Sequence, residues 1–282
     1  MTQQIRLLDR QETVRMVEWA AAEGWNPGLN DADAFSATDP GGYWGLFEDG
    51  AMLATISVVR YGAAFAFVGV YICRPDRRGE GLGYRLWQAA LEGASAGTLG
   101  LDGVVDQQSN YRKSGFAFAH RNVRYGGTPV ATAPDDSRLM RIGSNDVGAV
   151  VAYEAAARLF PAERTAFLRA WLDLPGATSF ALRGRNDAIE GYGTIRPCRS
   201  GFKIGPLFAA HEDDALILAQ ALIAIAGHGP VFLDPPEPNA PAVDLAKRLG
   251  LEPVFETARM YRGPVPDLAL DRVFGITSFE LG

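Results

Sequence analysis

Apolar runs alternate along this chain with short polar and glycine-rich breaks, and the order of runs is met twice. "QIRLLD" alternates like a short strand, and "ETVRMVEWAAAEG" carries Val14, Val17 and Ala21 at helical spacing before Gly24 stops it. "YWGLFEDGAMLATISVVRYG" reads as two strands joined by Asp49-Gly50, a strong hairpin signal. "FAFVGVYICR" is nearly unbroken in its apolar character, as a strand buried on both faces would be. A glycine loop follows, then "LGYRLWQAALEGA" with Leu82, Leu86 and Ala89/Ala90 on one face, the strand "TLGLDGVV", a short helix ended by Gly115, and the strand "FAHRNVRYGG". "GTPVATAPDDS" has a linker's composition.

After it the order repeats. "GAVVAYEAAARLF" and "RTAFLRAWLDL" predict helices, "SFALRG" and "IEGYGTIRP" a pair of strands, and "GFKIGPLFAA" another strand. "DALILAQALIAIA", "PVFLDPP", "PAVDLAKRLG" and "VFETARMYRG" then predict helix, strand, helix, strand. "YRKSGF" at Tyr111–Phe116 lies on "AKRLGL" at Ala246–Leu251, and "HRNVRYGG" on "ETARMYRG". The chain reads as an internal duplication of one α/β unit.

Composition narrows the function classes. At 282 residues the chain suits two domains of about 140, within the usual ~100–200 residues each. The apolar run Ala215 to Ala226 falls short of the ~20 residues a membrane span needs and is preceded by three carboxylates, and no signal peptide is visible. A net charge of −6 and a pI near 5.2 argue against nucleic acid as a partner. The two cysteines, Cys73 and Cys198, match no metal-ligand spacing and suit a reducing cytoplasm. The three histidines are scattered, so no metal is expected.

The candidate chemistry lies in "RPDRRGEGLGYRL", Arg74 to Leu86, between an apolar strand and a helix start. Glycine allows close backbone approach, and the free N–H groups of a helix N-terminus attract anions. Strand–"RRGEGLG"–helix is therefore a plausible diphosphate cradle, with Arg77 and Arg78 adding positive charge. There is no G-x-x-x-x-G-K-[ST], so it is not a P-loop. Nor is it a dinucleotide fingerprint, because the loop follows several strands and position 102–103 comes only after a helix and a further strand.

"YICRPDRRGEGLG" resembles motif A of the GNAT acetyltransferases, whose [QR]-x-x-G-x-[GA] is matched by Arg78-x-x-Gly81-x-Gly83, and "NYRKSGF" resembles the family's Y-x-K-x-G-F segment. The resemblance implies an α/β fold of two tandem GNAT-like domains, each a mixed, mostly antiparallel twisted sheet flanked by helices. Residues 1–130 would be an acetyltransferase domain and 138–282 a degenerate one. It implies acetyl-CoA as donor and a primary amine of a small molecule, an amino acid, polyamine or similar, as acceptor. Composition sets aside metal, nucleic acid and membrane; a homodimer stays open. Tyr71, Ile72 and Cys73 would pair with the pantetheine arm, and Arg78, Gly79, Glu80, Gly81, Leu82, Gly83 and Tyr84 would hold the diphosphate. The Tyr71 N–H would polarise the thioester carbonyl, and Tyr111 would protonate the departing thiolate.

The remaining assignments are less determined. The fourth strand carries no glutamate, and Asp102, Asp106, Glu23 or a water relay are all open as the general base. Trp25 and Asn26 lie where the family closes over its acceptor, and Asn110 either bonds the cofactor arm or caps a short helix. In the second half "PLFAAHEDDALI" has no glycine and puts Glu212, Asp213 and Asp214 at the helix start, which suits the dipole but repels a diphosphate. That half is expected to wall the acceptor pocket rather than bind CoA, with His211 a solvated turn residue. Transfer of a longer acyl chain and a non-catalytic CoA-binding module are the competing readings.

Overall fold

The computed structural model of the chain describes residues 2–94 and 96–282. The first repeat runs β1 (Gln3–Leu7), α1 (Arg10–Ala22), α2 (Asp31–Thr38), β2 (Tyr43–Glu48), β3 (Ala51–Tyr61), β4 (Phe65–Cys73), α3 (Leu82–Glu92), β5 (Thr98–Val104), α4 (Gln108–Lys113) and β6 (Ala117–Gly127). The second runs β7 (Leu139–Ile142), α5 (Val147–Ala157), α6 (Thr165–Leu172), β8 (Thr178–Arg183), β9 (Ile189–Pro197), β10 (Phe202–Ala209), α7 (Glu212–Ala226), β11 (Val231–Leu233), α8 (Ala240–Arg248) and β12 (Glu252–Arg262). A short strand, β13 (Val273–Gly275), follows.

Local chemistry accounts for most boundaries. Asp9 and Glu12 close a reciprocal capping box on α1, with Asp9 Oδ1 accepting from the Glu12 amide at 2.8 Å. Asp49 and Gly50 both take positive φ, as the tight hairpin between β2 and β3 requires. The buried face of α1 is Thr13, Met16, Val17 and Ala20, whereas Val14 is 41% exposed. The helix was read correctly but rotated by one position, because β-branched Val14 outranked Thr13 in hydrophobicity alone.

All thirteen strands join one mixed sheet, ordered β1-β2-β3-β4-β5-β12-β6-β11-β10-β9-β8-β7, with β13 against β10. The repeats exchange their last strands. β12 lies antiparallel beside β5 of the first repeat, and β6 beside β11 of the second. Two buried ion pairs hold the exchange: Arg259 of β12 grips Asp102 of β5 at 2.8 and 2.7 Å, and Arg124 of β6 grips Asp234 just past β11 at 2.8 and 2.7 Å. A third, Arg196 of β9 with Asp31 of α2, also crosses between repeats. The paired arginines make Arg124 the counterpart of Arg259, one residue off the match of "HRNVRYGG" to "ETARMYRG". The register agrees with the helix-ending glycines, Gly115 and Gly250, both at positive φ.

Helix α3 packs Leu86, Trp87 and Ala90 on β2–β5, and α7 packs Leu218, Leu222 and Ile223 on the second repeat's strands. The opposite face carries α1, α2, α5 and α6 over a core common to both repeats, from Met16 and Phe35 to Phe167 and Trp171. Residues 276–282 run through this shared core and are buried throughout.

Candidate active site

Strands β4 and β5 pair in parallel from Phe65↔Thr98 to Val68↔Leu101 and no further. Just beyond, β4 bulges: Thr55 of β3 faces Ile72 and Ser57 faces Gly69, so Val70 and Tyr71 together oppose Ile56. Val70 has φ +41°, a left-handed geometry that a β-branched residue adopts only under strain. The bulge turns β4 away from β5 and leaves the Tyr71–Cys73 edge without a strand beside it. A cavity of about 300 Å³ lies in the opening.

Downstream, Gly79 and Gly81 take φ of +82° and +77°, and Gly81 leads into α3 with no side chain capping the helix. The loop is exposed, and the first-turn amides of α3 have no intrahelical acceptor. Gly83 has another reason to be glycine, since a Cβ there would press on the Tyr71 hydroxyl. The expected surplus of positive charge is offset: Arg77 pairs with Glu48 and Glu80, and Arg78 with Glu23 and the Cys73 carbonyl. The cradle therefore rests on backbone N–H groups and the helix dipole more than on free guanidinium charge.

An aromatic row crosses the cavity, with Tyr71 and Trp87 centroids 5.2 Å apart and Trp87 and Tyr111 5.5 Å apart. The Tyr111 ring lies over Gly103, which leaves no room for a Cβ. Burial raises the Tyr111 phenol well above its ordinary value, with Tyr71 adding to the effect, and pushes Tyr71 up to about 12. Both hydroxyls thus keep their protons at neutral pH. Burial also raises the Cys73 thiol, which leaves it a poor nucleophile.

Of the residues singled out in the sequence, Trp25, Tyr71, Ile72, Cys73, Arg78 and Tyr111 line this cavity. Asn26 does not: its amide exchanges hydrogen bonds with the Ser200 backbone at 3.0 and 2.9 Å and ties the repeats together. Asn110 is exposed and donates to Gln107, the residue just before its short helix. Among the carboxylates left open as base, Asp106 is exposed and outside the lining, Glu23 is paired with Arg78, and Asp102 is locked by Arg259 and by Asn122 at 2.8 Å. His211 is exposed at the start of α7.

The second repeat supplies wall residues that no motif announced: Phe255 and Thr257 from β12, and Phe279 and Glu280 from the segment after β13. Phe255 and Thr257 come there only through the strand exchange. Phe279 and Glu280 sit in "RVFGITSFELG", a stretch without periodicity or a glycine loop to mark it.

The model described as "Acetyltransferase (GNAT) family" matches residues 9–116, and that described as "Acetyltransferase (GNAT) domain" matches residues 150–275. A curated relative, "Holothin acyltransferase" from Pseudoalteromonas sp. (strain SANK 73390), is 31% identical over 270 residues, covering 94% of this chain and 90% of the relative. Among solved structures, a putative acetyltransferase from Pyrococcus horikoshii superposes with a TM-score of 0.83 at 20% identity, over 99% of this chain and 96% of that one. A tandem GNAT protein from the clavulanic acid biosynthesis pathway gives 0.63 at 18% identity, over 94% and 100%.

Proposed function

Because the chain belongs to the GNAT acyltransferase family, with two GNAT units in tandem, we propose that it moves the acetyl group of acetyl-CoA to a primary amine of a small molecule by direct attack on the thioester. The observation that carries this reading is the parting of β4 from β5 at the Val70 bulge, opening onto an uncapped helix start with Tyr111 in the same cavity.

The residues fit the donor. The unpaired Tyr71–Cys73 edge offers main-chain donors and acceptors to an amide-bearing arm, as a sheet edge does to an added strand. The N–H groups from Gly79 to Tyr84 face a diphosphate without a competing side-chain cap. The bound donor supplies an activated acyl carbon and a thiolate leaving group. The Tyr71 N–H, held at the bulge, stabilises negative charge on the carbonyl oxygen. Tyr111, kept protonated by burial, gives its proton to the departing sulfur. Trp25 and the second unit's Phe255 and Phe279 wall the acceptor end. We assign donor binding to unit 1–130 and acceptor walls to unit 138–282. Both cysteines are free thiols, which suits a cytoplasmic location.

A longer acyl group is the second reading, favoured by the apolar wall of Val68, Leu101 and Phe255. One experiment separates the two: thiol release with acetyl-CoA and hexanoyl-CoA against an amine panel that includes holothin, the compound in the relative's name. Acetyl transfer predicts the higher kcat/KM with acetyl-CoA. No thiol release with either donor would overturn the proposal. No helix among the described residues is long and apolar enough to cross a membrane.

A further inference from the structure

Among the described residues Glu23, Asp102 and Glu280 line the cavity, and of these only Glu280 has a buried side-chain oxygen without a partner. Glu23 is bound to Arg78, and Asp102 to Arg259 and Asn122. Glu280 is 3% exposed, and its Oε2 is fully buried with no hydrogen-bond partner among the described residues. Burying a carboxylate without a partner is costly, so the position calls for an explanation.

Three cations act on Glu280 through space: Arg124 of β6, Arg196 of β9 and Lys203 of β10. They offset its charge, and each also has a partner elsewhere, although Arg196 Nη1 is buried without a hydrogen-bond partner. Arg124 holds Asp234 and Arg196 holds Asp31, each through two hydrogen bonds. The Lys203 ammonium donates to the Trp25 carbonyl at 3.3 Å. Placement adds a second argument. The Glu280 backbone carbonyl presses on Gly69 so closely that no Cβ fits there. Gly69 precedes by two residues the Tyr71 amide assigned to the thioester. The neighbouring wall is apolar, with the Phe255 and Phe279 rings 6.0 Å apart and Trp25 beside the same cavity.

We propose that Glu280 receives the ammonium group of the acceptor and takes its proton, and that the acceptor is a compact amine carrying one positive charge on a flat apolar body. This rests on the amine-acylation reading above. One N–H bond of the ammonium breaks and one O–H bond forms on Glu280, which later releases the proton to water. The freed nitrogen lone pair bonds the acyl carbon, the C–S bond breaks, and sulfur takes its proton from Tyr111; the second proton, shed by nitrogen as the amide forms, passes through water to the Tyr111 phenolate and restores it. A polyamine fits poorly, because its second and third ammonium groups would meet no free carboxylate.

The test compares benzylamine with spermidine in the full chain and in Glu280→Gln. Benzylamine should give at least a tenfold higher kcat/KM in acetyl-CoA thiol release, and should bind by calorimetry without donor present. Glu280→Gln should cut kcat/KM for benzylamine at pH 7 by ~10²-fold or more and abolish that calorimetric binding. Its acetyl-CoA affinity should stay within twofold, and the deficit should shrink as pH approaches the amine's own pKa. Glu280→Asp, which keeps the charge, should retain binding while losing kcat; it serves if the glutamine variant does not fold. Preference for spermidine, unchanged activity in Glu280→Gln, or an equal loss at every pH with weakened acetyl-CoA binding would each overturn the inference. Absence of thiol release with every donor, alongside benzylamine binding that needs Glu280, would overturn the acetyl-transfer reading and leave the amine site standing.

Discussion

The two repeats built the same cleft and then parted. In each, the strand before the long central helix carries two residues against one of its neighbour: Val70 and Tyr71 oppose Ile56, and Gly205 and Pro206 oppose Thr194. Beyond that point the first cleft stays open, with β4 free and α3 uncapped behind its glycine loop. The second is filled by the chain itself. β13 pairs with β10 at Leu207 and Phe208, on the edge equivalent to Tyr71–Cys73. Its helix α7 starts with three carboxylates, two of them held by arginines: Glu212 by Arg248, and Asp214 by Arg138 at 2.8 Å. The segment that leaves β13 then crosses to Gly69 and delivers Phe279 and Glu280 to the open cleft. A strand covers in the second repeat the edge that the first leaves open, and the segment after that strand walls the first cleft.

The exchange of β6 and β12 makes the comparison sensitive to buried charge. Arg259→Met leaves Asp102 uncompensated in the sheet and should cost ~3–5 kcal/mol, read as a lower denaturant midpoint. Adding Asp102→Leu should recover much of the loss. The whole chain should unfold in one transition, and two separate transitions would break the view that the repeats share one sheet.

Donor binding is the next largest effect and should be confined to the first cleft. Gly81→Asp strains a residue at φ +77° and sets a carboxylate where phosphates would lie. Acetyl-CoA affinity should fall ~100-fold or more. Asp213→Asn at the start of α7 should leave it unchanged, with calorimetry giving one site per chain. Two equivalent sites would erase the distinction.

Tyr111→Phe should lower kcat by ~10²-fold with acetyl-CoA affinity intact, measured by steady-state thiol release and calorimetry. An unchanged kcat would reduce Tyr111 to a packing residue over Gly103.

The effect that is smallest at neutral pH concerns the seam between the exchanged strands. His120 of β6 faces Arg259, and burial first, then that arginine, lower its pKa from 6.5 to about 3. The folded state therefore excludes a proton that the unfolded chain binds. The stabilisation is complete above about pH 6.5 and is lost as pH falls from there toward 3. At ~1.4 kcal/mol per pKa unit the loss reaches a few kcal/mol at acid pH and is nil at pH 7. His120→Gln should flatten the acid limb of thermal stability between pH 6 and 4, as scanning calorimetry can show.

Much of the proposed donor half of the site was legible because the chemistry assigned to it is local. A diphosphate cradle needs glycines and a helix start within a few consecutive residues, and "RRGEGLG" displays them in order. Tyr111 follows at a fixed distance along the same repeat. The proposed acceptor half was legible only at Trp25 and, as one open choice, at Asp102; Phe255–Thr257 and Phe279–Glu280 were not, because they come from stretches far away in the chain. Asp102 shows the difficulty plainly. A carboxylate at the end of β5 is a fair candidate base until its partner is known, and that partner is an arginine 157 residues later in chain order.

The sequence by itself determined what depends on neighbours in the chain: the order of helices and strands, the duplication, the hairpin at Asp49-Gly50, the glycine cradle and the acidic start of α7. Only the tertiary structure decided which strand stands beside which. β5 stands beside β12 rather than β6, although both strands carry an arginine that pairs with a buried aspartate. Periodicity cannot choose between two equivalent strands; the choice falls to shared core packing and to which arginine finds which buried aspartate. The same holds for residues 276–282, whose conformation is set by the close approach at Gly69 and by the Tyr61 hydroxyl donating to the Leu281 carbonyl at 3.0 Å. Such contacts are made across more than two hundred residues, and no local pattern in the chain carries them.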